Sequence, residues 1–538
     1  MIAKKTSVLV LAIILVVAIV GLTFFFKGRQ ESSGPTAAPS ATPRNFVLIG
    51  PSDDAAAIVR KAASVVPSPA QAAWQDREFT AFAHFGMNTF TDREWGQGTE
   101  DPKLFNPADF DARQWIKAVK DGGMKMLILT AKHHDGFCLW PSTLTGHSVK
   151  RSPWKDGKGD VVAEVSVACR EEGLAFGVYL SPWDRHEPSY GDSPRYNEHF
   201  RGQLRELLTN YGPIAEVWFD GANGEGPNGK KQVYDWPSYY EVIRELQPHA
   251  VIFGMAPDIR WVGTESGYGR ETEWSVVPAD VPDPAASSPL YPLDGTFTPK
   301  DLTSDDLGSR AKIVSAKALA WYPAETDVSI RPGWFYHAKE DGQVKSPDTL
   351  VDIYFSSVGR NGVLLLNVPP DKRGRISEFD AAALRGMRRI LDGTFKTDLA
   401  VGAGVRASSE DAAHAAAAAV DGDDKTYWSP VDRGSPGPSW IEVNLGGMKS
   451  FDCVLLQENI AVGQRVESFR LDAESGGAWK EFTKGTTVGY KRLLRFPAVA
   501  ASKVRLTIDQ ARTVPTIAHF GLYKMAGSAS VPEARRIP

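Results

Sequence analysis

The chain has 538 residues, 42% of them apolar and 23% charged, with a formal net charge of −4. That length exceeds one compact domain and accommodates a large barrel plus a smaller module, and the apolar share is enough for a sizeable core. The near-balanced charge leaves no electrostatic footprint for nucleic acid, and three cysteines, Cys138, Cys169 and Cys453, have neither metal-ligand spacing nor the pattern of a disulfide framework.

At the N-terminus Lys4 and Lys5 precede an apolar run from Val8 to Phe26, and Lys27 and Arg29 follow it. A helix rising about 1.5 Å per residue would carry such a run across the hydrocarbon core of a bilayer. A cleaved signal has a shorter apolar region and a small-x-small site, whereas this run ends in Phe24-Phe25-Phe26. Residues 1–29 are therefore expected to be an uncleaved signal-anchor that spans the membrane, with the remainder exported to the periplasmic or extracellular side. Residues 30–69 read as a flexible linker and lead-in, rich in Ser, Pro, Ala and Thr up to about residue 45.

From about Ala70 strand and helix patterns alternate. The expected strands are Phe79–His84, Met124–Thr130, Ala175–Ser181, Ala215–Asp220, Ala250–Met255, a weak Thr272–Val276, Ala318–Tyr322 and Gly362–Asn367. Helical patterns fall at Ala112–Asp121, Asp160–Glu172, Phe200–Tyr211 and Trp236–Leu246. Mostly apolar strands alternating with helices argue a parallel sheet buried on both faces. Eight such units over about 300 residues argue that the sheet closes into a (β/α)8 barrel, here residues 70–396. No Gly-rich phosphate turn follows the first strand, which counts against an open doubly wound sheet. The interval from Pro278 to Asp305 is a Pro-rich loop where a helix would be expected.

Beyond Thr397 helical patterning ends in the Ala-rich stretch Ala412–Val420, and short strands with turn signals take over. They include Trp440–Leu445, Asp452–Gln457, Ser468–Asp472, Lys491–Phe496 and Lys503–Ile508, the spacing of an antiparallel β-sandwich over residues 397–528. Residues 529–538 form a tail.

The candidate chemistry collects at barrel strand ends. Glu216-Val-Trp-Phe-Asp-Gly-Ala222 is a strand that stops at a carboxylate and a glycine, which delivers Asp220 to the catalytic end of a barrel. Glu265 follows the next apolar run, within Arg260-Trp-Val-Gly-Thr-Glu265; Glu271 and Glu273 compete with it. His84-Phe-Gly86, Glu94-Trp95-Gly96, Lys132-His133-His134-Asp135-Gly136, Tyr179, Trp183 and Trp334 supply polar and aromatic groups at other strand ends. Neighbouring His133 and His134 on an extended strand point opposite ways and lack a third ligand, so no metal is expected in the barrel. Two carboxylates among Trp and His suggest a glycoside hydrolase.

Taken in order, His84-Phe-Gly, Glu94-Trp-Gly, Lys132-His-His-Asp-Gly-Phe137, Trp218-Phe-Asp-Gly221 and Pro332-Gly-Trp-Phe-Tyr336 resemble the α-L-fucosidases of glycoside hydrolase family 29 over residues 70–395. The resemblance implies that Asp220 is the nucleophile. The Arg260–Glu265 segment resembles the branch acting on α-1,3/1,4-linked fucose, which implies Glu265 as acid/base. It further implies fucose contacts from His84, Glu94, Trp95, His133, His134, Tyr179, Trp218, Arg260 and Trp334, no cofactor for catalysis, and fucosylated oligosaccharides or glycoconjugates as partners. Other retaining glycosidases share the barrel, and a carbohydrate-binding protein that has lost catalysis is the remaining alternative, against which both carboxylates count. Val420-Asp-Gly-Asp423 with Thr426-Tyr-Trp428 and Trp440–Leu445 resemble the discoidin-like (coagulation factor type C) fold. That resemblance implies a possible structural calcium near Asp421 and Asp423, whose oxygens suit a hard cation.

Overall fold

The computed structural model describes residues 45–254, 258–279, 304–434 and 437–527. The expected membrane segment, the first part of the linker, most of the Pro-rich interval and the tail lie outside them. Among the described residues no helix is long and apolar enough to cross a membrane.

Eight parallel strands build the central sheet: β1 (Phe79–Ala83), β2 (Met126–Lys132), β3 (Ala175–Leu180), β4 (Glu216–Trp218), β5 (Val251–Phe253), β6 (Arg260–Trp261), β7 (Ala324–Ser329) and β8 (Val363–Asn367). Their order is β5-β4-β3-β2-β1-β8-β7-β6. The two ends of that row, β5 and β6, meet through a bridge between Phe253 and Ile259, so the sheet curls into a near-closed, TIM-like barrel. Gly254 shapes this seam: with φ of 116°, it sits where a Cβ would lie 2.5 Å from the carbonyl oxygen of Phe219.

Two expected strands need correction. The sixth barrel strand is Arg260–Trp261 rather than Thr272–Val276, and the seventh is Ala324–Ser329 rather than Ala318–Tyr322. Val276–Ala279 and Ala318–Trp321 pair with each other instead, and Phe46–Leu48 joins them in a small antiparallel sheet. Ala-Leu-Ala-Trp reads as the better buried strand, but Ala-Glu-Thr-Asp-Val-Ser occupies the barrel because indole donors satisfy its carboxyls. Trp218 Nε1 donates to Glu325 Oε1 at 2.8 Å and Trp261 Nε1 to Asp327 Oδ1 at 2.8 Å.

Helices Ala112–Asp121, Val161–Glu172, Ser193–Asn210 and Trp236–Leu246 cover the barrel after β2's predecessor and the next three strands. Asp111, Asp160 and Asp235 cap three of them by accepting backbone N–H groups, each such cap contributing about 1 kcal/mol. The third begins at Ser193 rather than Phe200, with Pro194 in its first turn. Phe82, Met126, Ile128, Tyr179, Trp218, Phe253, Val363 and Leu365 pack together inside the barrel.

The C-terminal domain is antiparallel: β9 (Gly404–Ala407), β10 (Ser439–Gln457), β11 (Val466–Ser475), β12 (Ala478–Gly485), β13 (Arg492–Ala511) and β14 (His519–Tyr523). Several expected short strands are halves of two long ones, β10 and β13, whose register shifts between Asn444 and Lys449 and between Phe451 and Cys453. The Ala-rich stretch yields a single 3-10 turn, Ala416–Val420. Cys453, Leu455, Leu493 and Tyr523 join the apolar cluster of the barrel helices, so the two domains share a core. All three cysteines are free and buried.

Candidate active site

Asp220 stands two residues beyond the end of β4. Its Oδ1 accepts the Ala222 N–H at 2.7 Å, an Asx turn that aims the carboxylate, and its Oδ2 accepts the Tyr179 hydroxyl at 3.1 Å. Burial and the Asp220 charge push the Tyr179 phenol well above its ordinary value, so it stays a donor. Trp218, two residues earlier, stacks on Phe253 with centroids 4.3 Å apart.

Three histidines line the same cavity, and their second nitrogens assign their tautomers. His84 Nδ1 lies 2.9 Å from Asn367 Oδ1, an acceptor, so His84 Nε2 is left as an acceptor. Burial drives its pKa down to about 3, which keeps the ring neutral. His134 Nδ1 meets Ser181 Oγ at 2.7 Å, and that hydroxyl donates onward to the Trp183 carbonyl at 2.7 Å. His134 therefore donates through Nδ1, and its Nε2 faces Asp220 Oδ2 at 3.8 Å. Burial lowers its pKa and the Asp220 charge partly restores it. His133 is reversed: Nδ1 takes the Asn88 Nδ2–H at 3.3 Å, which leaves Nε2–H as a donor, and burial holds it neutral.

Glu265 follows β6, and its Oε2 accepts the Trp334 Nε1–H at 3.2 Å. Glu94 holds the same tryptophan from behind. Its carboxylate accepts the backbone N–H groups of Trp334 at 2.8 Å and Phe335 at 3.2 Å, and lies 2.7 Å from His337 Nε2. His337 also meets Asp92 at 2.7 Å; burial opposes its charge, but the two carboxylates outweigh that and raise its pKa. Trp95 is 57% exposed, its ring edge-on to His134 and Trp183 at 5.5 Å each.

The structure thus brings Asp220, Glu265, His84, Glu94, Trp95, His133, His134, Tyr179, Trp218 and Trp334 to one cavity of about 130 Å³. Arg260 is the exception. Its side chain is 1% exposed and ion-paired with Glu273, and it donates to the Tyr322 carbonyl at 2.9 Å, away from the cavity lining. Glu273 is buried in that pair, and Glu271 is paired with Arg360 and Arg492, so neither reaches the cavity.

Asp327, which the sequence reading passed over, also lines the cavity. Burial, with Glu265 and Asp220 adding to it, pushes its carboxyl up to about 7. Asn367 is a second omission; beyond fixing His84 it donates to the Trp334 carbonyl at 2.7 Å. In the C-terminal turn, Asp421 accepts the Asp423 N–H at 2.8 Å and the Thr426 hydroxyl at 2.8 Å, and Asp423 accepts the Lys425 N–H at 3.0 Å. Among the described residues no group of three or more His, Cys, Asp or Glu is placed to hold a metal ion.

A cavity with carboxyls, neutral imidazoles offering both donors and acceptors, and indole walls suits a single polyhydroxylated ring. A family model described as alpha-L-fucosidase matches residues 51–273 and 293–393. The chain belongs to the α-L-fucosidases of glycoside hydrolase family 29. A second model, F5/8 type C domain, matches residues 404–520, as the discoidin-like resemblance implied. Alpha-L-fucosidase 1 of Arabidopsis thaliana is 43% identical over 475 residues, covering 86% of this chain and 89% of its own. A crystal structure of a glycoside hydrolase 29 family member from an unknown rumen bacterium has a TM-score of 0.71 at 41% identity, covering 87% of this chain and 79% of its own. A Ruminococcus gnavus family 29 fucosidase solved in complex with fucose has a TM-score of 0.74 at 33% identity, covering 86% of this chain and 95% of its own. This fucosidase is thus a glycoside hydrolase acting on fucosylated glycans.

Proposed function

We propose that this fucosidase releases terminal α-1,3- or α-1,4-linked L-fucose with retention of configuration, with Asp220 as nucleophile and Glu265 as acid/base. The observation carrying this reading is that both carboxyls open on one cavity, each oriented by a donor, Tyr179 for Asp220 and Trp334 for Glu265. In the first step Asp220 bonds to the anomeric carbon as the bond to the leaving oxygen breaks, and Glu265 gives that oxygen its proton. In the second, Glu265 takes a proton from water, whose oxygen replaces Asp220 on the sugar. His84 and His134 accept from sugar hydroxyls, His133 donates to one, and an indole, Trp95 or Trp334, covers the 6-methyl group. The linkage preference is supported by the Arg260-Trp-Val-Gly-Thr-Glu265 segment alone. The lysine-flanked run Val8–Phe26 supports a membrane-anchored or exported enzyme.

Asp220→Ala is expected to lower turnover by at least about a thousandfold with the fold intact, and azide to restore part of it as β-fucosyl azide. Full activity in that variant would remove Asp220 from the mechanism. A panel of fucosylated oligosaccharides tests the linkage, and faster cleavage of α-1,2-linked than of α-1,3/1,4-linked fucose would overturn it.

A further inference from the structure

The loop bearing Glu265 is anchored at both ends, and its far anchor belongs to the other domain. Near the start, Arg260 forms a buried ion pair with Glu273, which ties the loop's first residues to its last. The returning segment, Glu271–Ser275, has almost no regular structure, yet much of it is buried, so its backbone groups must find partners. The C-terminal domain supplies many of them. Gln464 Nε2 donates to the Glu273 carbonyl at 3.0 Å, and Gln464 Oε1 accepts the Ser275 N–H at 2.8 Å. Thr487 Oγ1 accepts the Glu273 N–H at 3.1 Å, and Arg492 donates to the Glu271 carbonyl at 2.6 Å. All three side chains are buried, with exposures of 0%, 1% and 3%. A surface module tethered beside a barrel would not bury polar side chains against the returning limb of one barrel loop in this way.

Resting on the reading of Glu265 as acid/base, we infer that the C-terminal domain is a positioning element of the active site. Gln464, Thr487 and Arg492 fix the Glu271–Ser275 segment, and through it the reach of Glu265 toward the leaving oxygen. The domain thus contributes to proton delivery whether or not it binds sugar.

The test uses the full chain with Gln464→Ala and, as an isosteric variant that disturbs packing least, Thr487→Val. Arg495→Ala is the control: Arg495 lies at the same interface but grips Asp352, at 2.7 Å, on the helix Pro347–Ser357. The clamp variants are expected to lose about tenfold in kcat/KM on unactivated fucosylated oligosaccharides and less than about twofold on an aryl fucoside with a good leaving group. Amide exchange over residues 260–275 should quicken in both, while Arg495→Ala leaves both readouts as they were. Equal losses on the two substrates, unchanged exchange, or the same pattern from Arg495→Ala would each overturn the proposal. Glu265→Ala is measured alongside. If it shows no leaving-group dependence, the acid/base assignment fails by itself, and the clamp is then upheld or overturned by the exchange data.

Discussion

Asp327 and Asp220 differ in their surroundings although both face the cavity. Asp220 has a side chain 27% exposed and two donors, whereas Asp327 is 3% exposed with the indole of Trp261 as its donor. The folded Asp327 carboxyl is raised to about 7 from 3.8, so between those values the native state holds a proton that the unfolded chain has released. Its contribution favours folding at low pH and is lost as pH rises through about 7. Asp327→Asn keeps an acceptor for Trp261 and does not titrate. Relative to that variant, the natural protein should lose on the order of 1–3 kcal/mol between pH 4 and pH 8, read from urea midpoints. A gap that stays constant with pH would show that Asp327 is not the titrating group. This residue also marks where sequence reading stops. His84, His133, His134 and Asp220 sit in short motifs beside glycine, and such motifs are visible without coordinates. Asp327 lies mid-strand in Glu325-Thr-Asp-Val328, where its role depends on Trp261 arriving from a different strand. Arg260 shows the converse: a motif neighbour of Glu265 whose side chain turns into the barrel wall.

At the scale of elements, the loop after β7 owes its position to Gly333. A Cβ there would fall 2.6 Å from Glu94 Oε1, and that oxygen cannot withdraw freely because His337 and the Phe335 N–H both hold it. Gly333→Ala should therefore displace the backbone that carries Trp334. The expected loss in kcat/KM is about tenfold, or about 1.4 kcal/mol, mainly through KM. Steady-state kinetics on an aryl fucoside checks this, and unchanged kinetics would mean that Glu94 yields without moving the indole. The barrel's first four strands were legible because they are apolar, regularly spaced and followed by clear helical patterns. Strands β6 and β7 were not. The sixth has two residues, and the apolar runs that outscore it and β7 belong to the small antiparallel sheet, where propensity is satisfied away from the barrel.

For the whole molecule, the ion pair between Lys491 and Glu78 joins the C-terminal domain to the residue preceding β1, at 2.5 Å. Burial alone would raise the Glu78 carboxyl, but Lys491, Lys125 and the Tyr490 hydroxyl outweigh it and hold it below its ordinary value. Stability from Glu78 is accordingly present above about pH 4.5 and lost as pH falls through the depressed value. Lys491→Met leaves that carboxylate buried without its cation and should cost about 2–4 kcal/mol near pH 7, less in acid. Calorimetry should show one transition moving down as a unit, since the domains share an apolar core. A split in which only the C-terminal domain melts early would contradict that coupling.

The clasp on the Glu265 loop also sets an order in time. Asp220 and Glu265 leave the ribosome early, but Gln464 lies 191 residues beyond Glu273, and Arg492 lies 221 beyond Glu271. Contacts of such long sequence separation form late, because distant loops must close first. A nascent chain that has completed its barrel is therefore still an unfinished catalyst, and activity awaits the last quarter of synthesis. Chains stalled on the ribosome before Arg492 emerges lack Leu493 and Tyr523 of the shared core as well as the clasp, and should gain activity on natural glycans only after the remaining residues emerge.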